Sequence, residues 1–276
     1  STQGVSSAAS DVYKRQHELR HHANEVFAKR DDRLKSMTDE SVPVYYTCIM
    51  CQAFSPSHVC IVTPERLGLC GAVSWLDAKA TKELDPAGPC QPILKEGCTD
   101  EKLGRYASVD EAVNKYSHGA LEHVTLYSLF QDPMTSCGCF ECICGVEPVS
   151  MGVVITCREH AGMTPLGMTF SEMASMTGGG VQTPGFMGHG KHYIASHKFL
   201  KAEGGVGRLV WLPKELKDQI RPYWQKAKPY LAFGIECGKA FVQVVAAAYS
   251  IYIYGRIIQD SMHGIKDSLY WFKGLN

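Results

Sequence analysis

Cys137, Gly138 and Cys139 can act as one chelate. The two thiolates and the two backbone nitrogens between them, those of Gly138 and Cys139, close fused rings around a single metal. The first sulfur and the Gly138 nitrogen close a six-membered ring, and the two nitrogens close a five-membered one. The Cys139 nitrogen and its own sulfur close another, so all four donors can lie in one plane. Gly138 adds no Cβ to crowd that plane and tolerates unusual dihedrals. Square-planar N/S donation suits Ni(II) or Cu(II) and not zinc. The sulfurs keep lone pairs and can bridge to a second soft metal. The plainer reading of a bare C-x-C is a turn with two buried cysteines.

A second group lies upstream. Cys48, Cys51, Cys60 and Cys70 follow a C-x2-C-x8-C-x9-C spacing. The close pair presents two sulfurs from one turn, and the distant two complete a coordination sphere. Four cysteines hold a structural zinc or an iron–sulfur cluster. A zinc ribbon prefers a second tight pair, whereas the irons of a [4Fe–4S] cluster accept dispersed ligands, so the spacing favours the cluster. A zinc clip that only stabilises the fold is the alternative.

Composition sets the frame. The chain has 276 residues, enough for one or two domains with a full core. Twelve are cysteine, about 4%, well under the density of a disulfide scaffold. Ser1 to Gln16 shows no secretory pattern, which predicts a cytoplasmic, reducing setting and clustered thiols that serve as ligands. Lys+Arg and Asp+Glu are both 28, so there is no basic excess to hold nucleic acid. The longest uncharged run near the C-terminus, Ala240 to Gly255, is short of the ~20 apolar residues that span a bilayer, and no membrane partner is expected.

The pattern predicts a helix over His17–Met37, stopped before Pro43, and a strand over Val42–Tyr46. Asp85–Gly97, with three prolines, reads as a surface connection. Ser108–Phe130 reads as one helix opened by a Ser108/Glu111 capping box and stopped at Asp132-Pro133. Gly152–Thr156 and Gly207–Trp211 read as strands. Gly178–Gly190 reads as a glycine-rich loop, and Pro213–Arg221 as a helix stopped by Pro222. The fold class is α/β, with α+β also open: a mixed sheet with flanking helices and the metal cluster held by loops. Gly185-x4-Gly190-Lys191-His192 nearly matches a phosphate loop but lacks the required hydroxyl. His189, His192 and His197 could ligate a metal, but in a loop at this spacing they read as solvated or hydrogen-bonded, and His17, His21 and His22 read as exposed on the first helix. Cys142 and Cys144 could compete for metal, and Cys144 would be open to oxidation if exposed. Cys90, Cys98, Cys157 and Cys237 read as buried or free thiols.

Several stretches together resemble the catalytic domain of the CO-methylating acetyl-CoA synthase family, an acyltransferase of anaerobic carbon fixation. They are Cys48–Gln52, Cys60, Pro64–Ala72, Asp132–Ile143, Gly162–Phe170 and Gly178–Lys191, in family order and spacing. The likeness runs from about His22 to about Pro222. It implies an N-terminal tail over 1–20, a cluster-bearing catalytic domain over 21–222 and a divergent segment over 223–276. By that resemblance Cys48, Cys51, Cys60 and Cys70 ligate a [4Fe–4S] cluster, and Cys51 also bridges to a proximal nickel. Cys137 and Cys139 bridge the proximal and distal nickels, and the Gly138 and Cys139 nitrogens complete the distal plane. Phe54 matches an aromatic residue beside the proximal nickel; a core phenylalanine is the other reading. The implied reaction joins CO from a CO dehydrogenase with a methyl group from a corrinoid iron–sulfur protein, and coenzyme A receives the acetyl unit. The competing function is a non-enzymatic iron–sulfur or zinc protein in electron transfer or assembly.

Overall fold

The computed structural model describes residues 3–226. Helix α1 (Gln3–Leu34) is exposed along most of its length and meets the body through Leu34 and the guanidinium of Arg30. The chain turns at Asp39–Ser41 and enters β1 (Val44–Cys48), which pairs antiparallel with β2 (Cys60–Val62). Helix α2 (Trp75–Leu84) starts at Ser74, whose hydroxyl accepts from Asp77 N while the Asp77 carboxylate accepts from Ser74 N, a reciprocal cap. Strand β3 (Pro92–Leu94) adds to the other edge of β1, giving the order β2-β1-β3.

Strands β4 (Cys98–Asp100) and β5 (Arg105–Tyr106) form a small ribbon before α3 (Ala107–Tyr116). Next come β6 (Thr135–Ser136), β7 (Cys142–Glu147) and β8 (Gly152–Cys157). Helix α4 (Phe170–Ser175) is capped by Thr169 and Glu172. Strand β9 (Gly180–Val181) returns to pair with β6, and β10 (Phe186–His189) pairs with β7. Short helices α5 (Lys191–Ala195) and α6 (His197–Lys201), strand β11 (Leu209–Trp211) and helix α7 (Lys214–Lys226) follow. The second sheet has the order β10-β7-β8-β11, with β11 parallel to β8 and the other pairs antiparallel. All six residues of β8 are buried, as expected for a central strand covered on both faces. The architecture is the expected mixed α/β one.

Local expectations are corrected as follows. The helix foreseen over Ser108–Phe130 ends at Tyr116, because His118 (φ 56°) and Gly119 (φ 81°) turn left-handed. Val124, Leu126 and Leu129 are buried in a segment of turns and bends, where the N–H groups of Leu126, Tyr127 and Leu129 donate to the carbonyls of Gly104, Leu103 and Glu203. Ser108 does not cap the helix; its hydroxyl bonds to the Glu96 carbonyl, and Tyr106 precedes the first turn. Pro222 does not stop α7: it removes one donor, and the buried Leu216 and Ile220 keep the helix on the core. The Asp85–Gly97 connection contains β3, and the glycine-rich stretch is a pair of short strands. Cys237 and the run Ala240–Gly255 lie outside the described residues.

Candidate metal centre

The first cysteine set is positioned by a strand pair and two turns. Cys48 ends β1 and Cys60 opens β2, directly opposite each other, so their side chains share one face of the sheet. Cys51 sits on the helical turn Met50–Ala53, and its carbonyl accepts from the N–H of Phe54 and of Ser55 at 3.0 Å each. Cys70 is exposed in a turn closed by Gly71 N donating to Gly68 O at 2.8 Å, with Gly71 at φ 74°. Arg30, reaching from α1, donates to the carbonyls of Gly71 (3.2 Å) and Ala72 (2.9 Å), so the turn is held from outside.

The second set rides on the β6–β9 ribbon. Thr135 Oγ1 accepts from Val59 N at 2.9 Å, which ties the ribbon to the loop between Cys51 and Cys60. Gly179 N donates to Ser136 O at 3.0 Å and supports the following turn. In that turn Gly138 has φ 87°, a left-handed conformation that glycine adopts without strain, and its N–H donates to Ser136 Oγ at 2.9 Å. Ligation through the Gly138 nitrogen requires that hydrogen bond to be given up. Glu141 then locks the turn to its neighbours. Its N–H donates to Leu69 O (3.2 Å), its carbonyl accepts from Arg158 N (3.1 Å) and its carboxylate accepts from Lys191 N (2.9 Å).

These two supports bring the sets together. The ligand atoms of Cys51, His58 and Cys137 all lie within 4.8 Å of one another. Burial pushes the Cys51 thiol up to about 12, helped by the charge of Cys137, a hydrogen bond with it, and the charges of Cys70 and Cys48. Burial also raises Cys60, and Cys48 and Cys70 add to it. Cys139 is raised by burial and then by Cys137 and Cys70, while the Arg158 guanidinium works the other way. Cys48 is raised first by its hydrogen bond with Cys90 and then by burial. Thiolates from both sets therefore repel one another, and a soft cation among them removes that penalty. All six of these thiols are free. A converging set of reduced sulfur donors fits a thiophilic metal cluster.

Phe54 is 90% exposed, which overturns the core reading, and Met50 nearby is also exposed. Cys144 is buried on β7, so it is not an exposed oxidation site. Cys142 faces Cys157 across the β7–β8 pair and is not part of the trio formed by Cys51, His58 and Cys137. Cys90 and Cys157 are buried, and Cys98 is exposed. His17, His21 and His22 are exposed as expected. His192 Nε2 lies 3.1 Å from Pro64 O, whereas His189 is buried against Tyr193 with neither ring nitrogen hydrogen-bonded, contrary to the solvated reading. Lys191 Nζ bonds to Glu159 and Gln219, which leaves no phosphate-loop lysine. Sequence reasoning missed His58, whose buried ring is kept towards its neutral form by burial and whose Nε2 lies 3.3 Å from Cys60 Sγ. Its place two residues before a candidate ligand was the available signal. Glu141 and Arg158 were also missed, because their roles depend on contacts distant in sequence. Among the described residues no helix is long and apolar enough to cross a membrane.

The sequence is similar to known proteins. The family model for the C-terminal part of the ACS/CODH beta subunit matches residues 27–241. Carbon monoxide dehydrogenase/acetyl-CoA synthase subunit alpha of Moorella thermoacetica is 58% identical over 196 residues, covering 71% of this chain and 27% of that protein. Acetyl-CoA decarbonylase/synthase complex subunit beta 2 of Methanocaldococcus jannaschii is 48% identical over 199 residues, covering 72% of this chain and 42% of that one. A solved C-terminal domain of an acetyl-coenzyme A synthase alpha subunit shares 55% identity over 32% of this chain and 64% of that chain, with a TM-score of 0.29. The chain thus spans 27% and 42% of the lengths of these two curated relatives.

Proposed function

The chain belongs to the family of the ACS/CODH beta C-terminal region, and from that membership we propose that it carries the metal centre of an acetyl-CoA synthase. Cys48, Cys51, Cys60 and Cys70 would hold a [4Fe–4S] cluster. Cys51, Cys137 and Cys139 would hold a proximal nickel, and Cys137, Cys139 and the nitrogens of Gly138 and Cys139 a distal one. When bound, the group supplies an electron-rich nickel centre with sulfur donors, suited to combining CO, a methyl group and the thiol of coenzyme A into acetyl-CoA. CO dehydrogenase, a corrinoid iron–sulfur methyl donor and coenzyme A are the partners proposed for the assembled enzyme.

The protein's own share is positional. Cys51 and Cys70 come from turns, so the sulfurs reach the surface while Cys48 and Cys60 stay buried. Arg158 places positive charge near the exposed Cys139 and favours its thiolate. Phe54 offers an apolar face near Cys51 at the surface, where small apolar reactants would approach. Ser136 Oγ accepts the Gly138 amide proton, the one that must leave for nitrogen ligation.

The observation that supports this reading is the meeting of Cys51 with Cys137, far apart in the chain, both of them free thiols. Cys139→Ala tests it. The variant should lose nickel after anaerobic reconstitution and largely keep its iron–sulfur absorption. Retained nickel and retained acetyl transfer would sink the assignment.

A further inference from the structure

We propose that Cys51, His58 and Cys137 form a site of their own for a tetrahedral divalent ion of the zinc class, filled in the chain that has not yet received its iron–sulfur cluster. The competition it implies rests on the cluster reading above, whereas binding of the ion by this trio is measured apart from it.

Two thiolates, one imidazole and an open fourth position are a complete zinc donor set. Among the described residues this is the one trio of Cys, His, Asp or Glu whose ligand atoms all lie within 4.8 Å of one another. Ligands of a single tetrahedral zinc sit about 3.4–3.8 Å apart, given metal–ligand bonds of about 2.0–2.3 Å. The trio therefore needs a contraction of at most about 1–1.4 Å. The elements that carry it allow this. Cys51 is on a single helical turn and Cys137 is in a partly exposed turn, so both sulfurs can swing inward. His58 is the fixed member: it is 2% exposed, its N–H donates to Ser55 O at 2.9 Å, and the next residue bonds to Thr135.

Binding is balanced by proton release. The ion takes two thiolates, two protons leave to solvent, and the neutral imidazole donates its lone pair, so the bound unit carries no net charge. Seating the ion occupies Cys51 and Cys137, two thiolates that the proposed cluster and nickels would also need. Zinc here therefore competes with cluster loading, and His58 decides how strongly.

The test uses the whole metal-free chain, reduced and anaerobic, titrated with Co²⁺ and then displaced with Zn²⁺. One equivalent should give a tetrahedral cobalt spectrum with thiolate charge transfer and release two protons. His58→Gln should weaken binding by about tenfold or more, while Cys70→Ser should change it by less than about twofold. One equivalent of zinc should block iron uptake in the parent chain and block it less in His58→Gln. Unchanged affinity in His58→Gln, or an equal loss in Cys70→Ser, overturns the proposal. Zinc-edge X-ray absorption on the unmutated chain gives a readout independent of variant folding: one imidazole with two sulfurs supports the site, and a sulfur-only shell overturns it. Iron and nickel stoichiometry is a separate measurement, so failure of the enzyme assignment would not be mistaken for failure here.

Discussion

Replacing Glu141 with alanine should loosen the metal centre without touching a ligand. Its backbone bonds to Leu69 and Arg158 survive the change, so the loss is confined to the carboxylate. That carboxylate is 2.9 Å from Lys191 N, packs against Gly71 and lies beside Gly190. It joins three segments: the Cys70 turn, the Cys137–Cys139 turn and the start of α5. Without it the Lys191 N–H, in a half-buried position, loses its acceptor, at a cost of about 1–3 kcal/mol. Denaturant unfolding of the metal-free chain should show a loss in that range. Nickel per chain after anaerobic reconstitution should fall by about half or more, because supporting contacts of this kind alter metal affinity by tenfold or more. Glu141→Gln keeps an oxygen acceptor and should stay within about 0.5 kcal/mol of the parent, with normal nickel. Equal stability and nickel content in the alanine variant would refute the reasoning. A glutamine variant as damaged as the alanine one would show that charge, not the hydrogen bond, is what matters.

Gly138→Ala meets open space, with Gly178 Cα 4.0 Å from the new Cβ, so its cost is the left-handed backbone, about 1–2 kcal/mol. It should lower nickel content and spare iron, as read by elemental analysis. Arg30→Ala removes the outside support of the Cys70 turn and should destabilise by about 1–3 kcal/mol in thermal or denaturant unfolding, with iron retention reduced. Glu65 is held up to about 7 by burial and by Asp39, above its ordinary carboxylate value. The folded chain therefore binds this proton more tightly than the unfolded chain. Stability is fully present below about pH 4.5 and is lost as pH rises towards 7. Glu65→Gln should flatten that slope in unfolding curves, and an unchanged slope would contradict it. Cys51, raised to about 12, must lose its proton to bind metal, so reconstitution should release protons and improve as pH rises; pH-independent uptake would contradict this.

Much of the candidate site was legible because ligand chemistry demands residue types at set spacings. The two cysteine sets could be read directly, and so could the use of glycine at position 138, where the backbone is left-handed. The buried strand β8 was legible from its apolar run. What could not be read depends on contacts between distant segments. Val124–Leu129 has a helix-like apolar spacing, yet its backbone is satisfied by residues 103, 104 and 203. The exposure of Phe54 follows from where a short helical turn ends, which composition does not encode. His189 has a solvated residue's loop setting and a core residue's burial, because β10 pairs with β7 and Tyr193 of α5 stacks on the ring. The Asp39–Glu65 pair, bonded reciprocally through backbone N–H groups, joins positions that show no local pattern at all.

The central claim is that Cys137-Gly138-Cys139 binds nickel in a plane beside an iron–sulfur cluster on the upstream cysteines. Nickel-edge X-ray absorption with parallel metal analysis, on the anaerobically reconstituted chain, measures this directly. The account predicts about two nickels with four irons per chain, one nickel in a square plane of two nitrogens and two sulfurs. A chain that takes up only zinc, with no iron–sulfur absorption and no nitrogen-and-sulfur planar nickel, would contradict it.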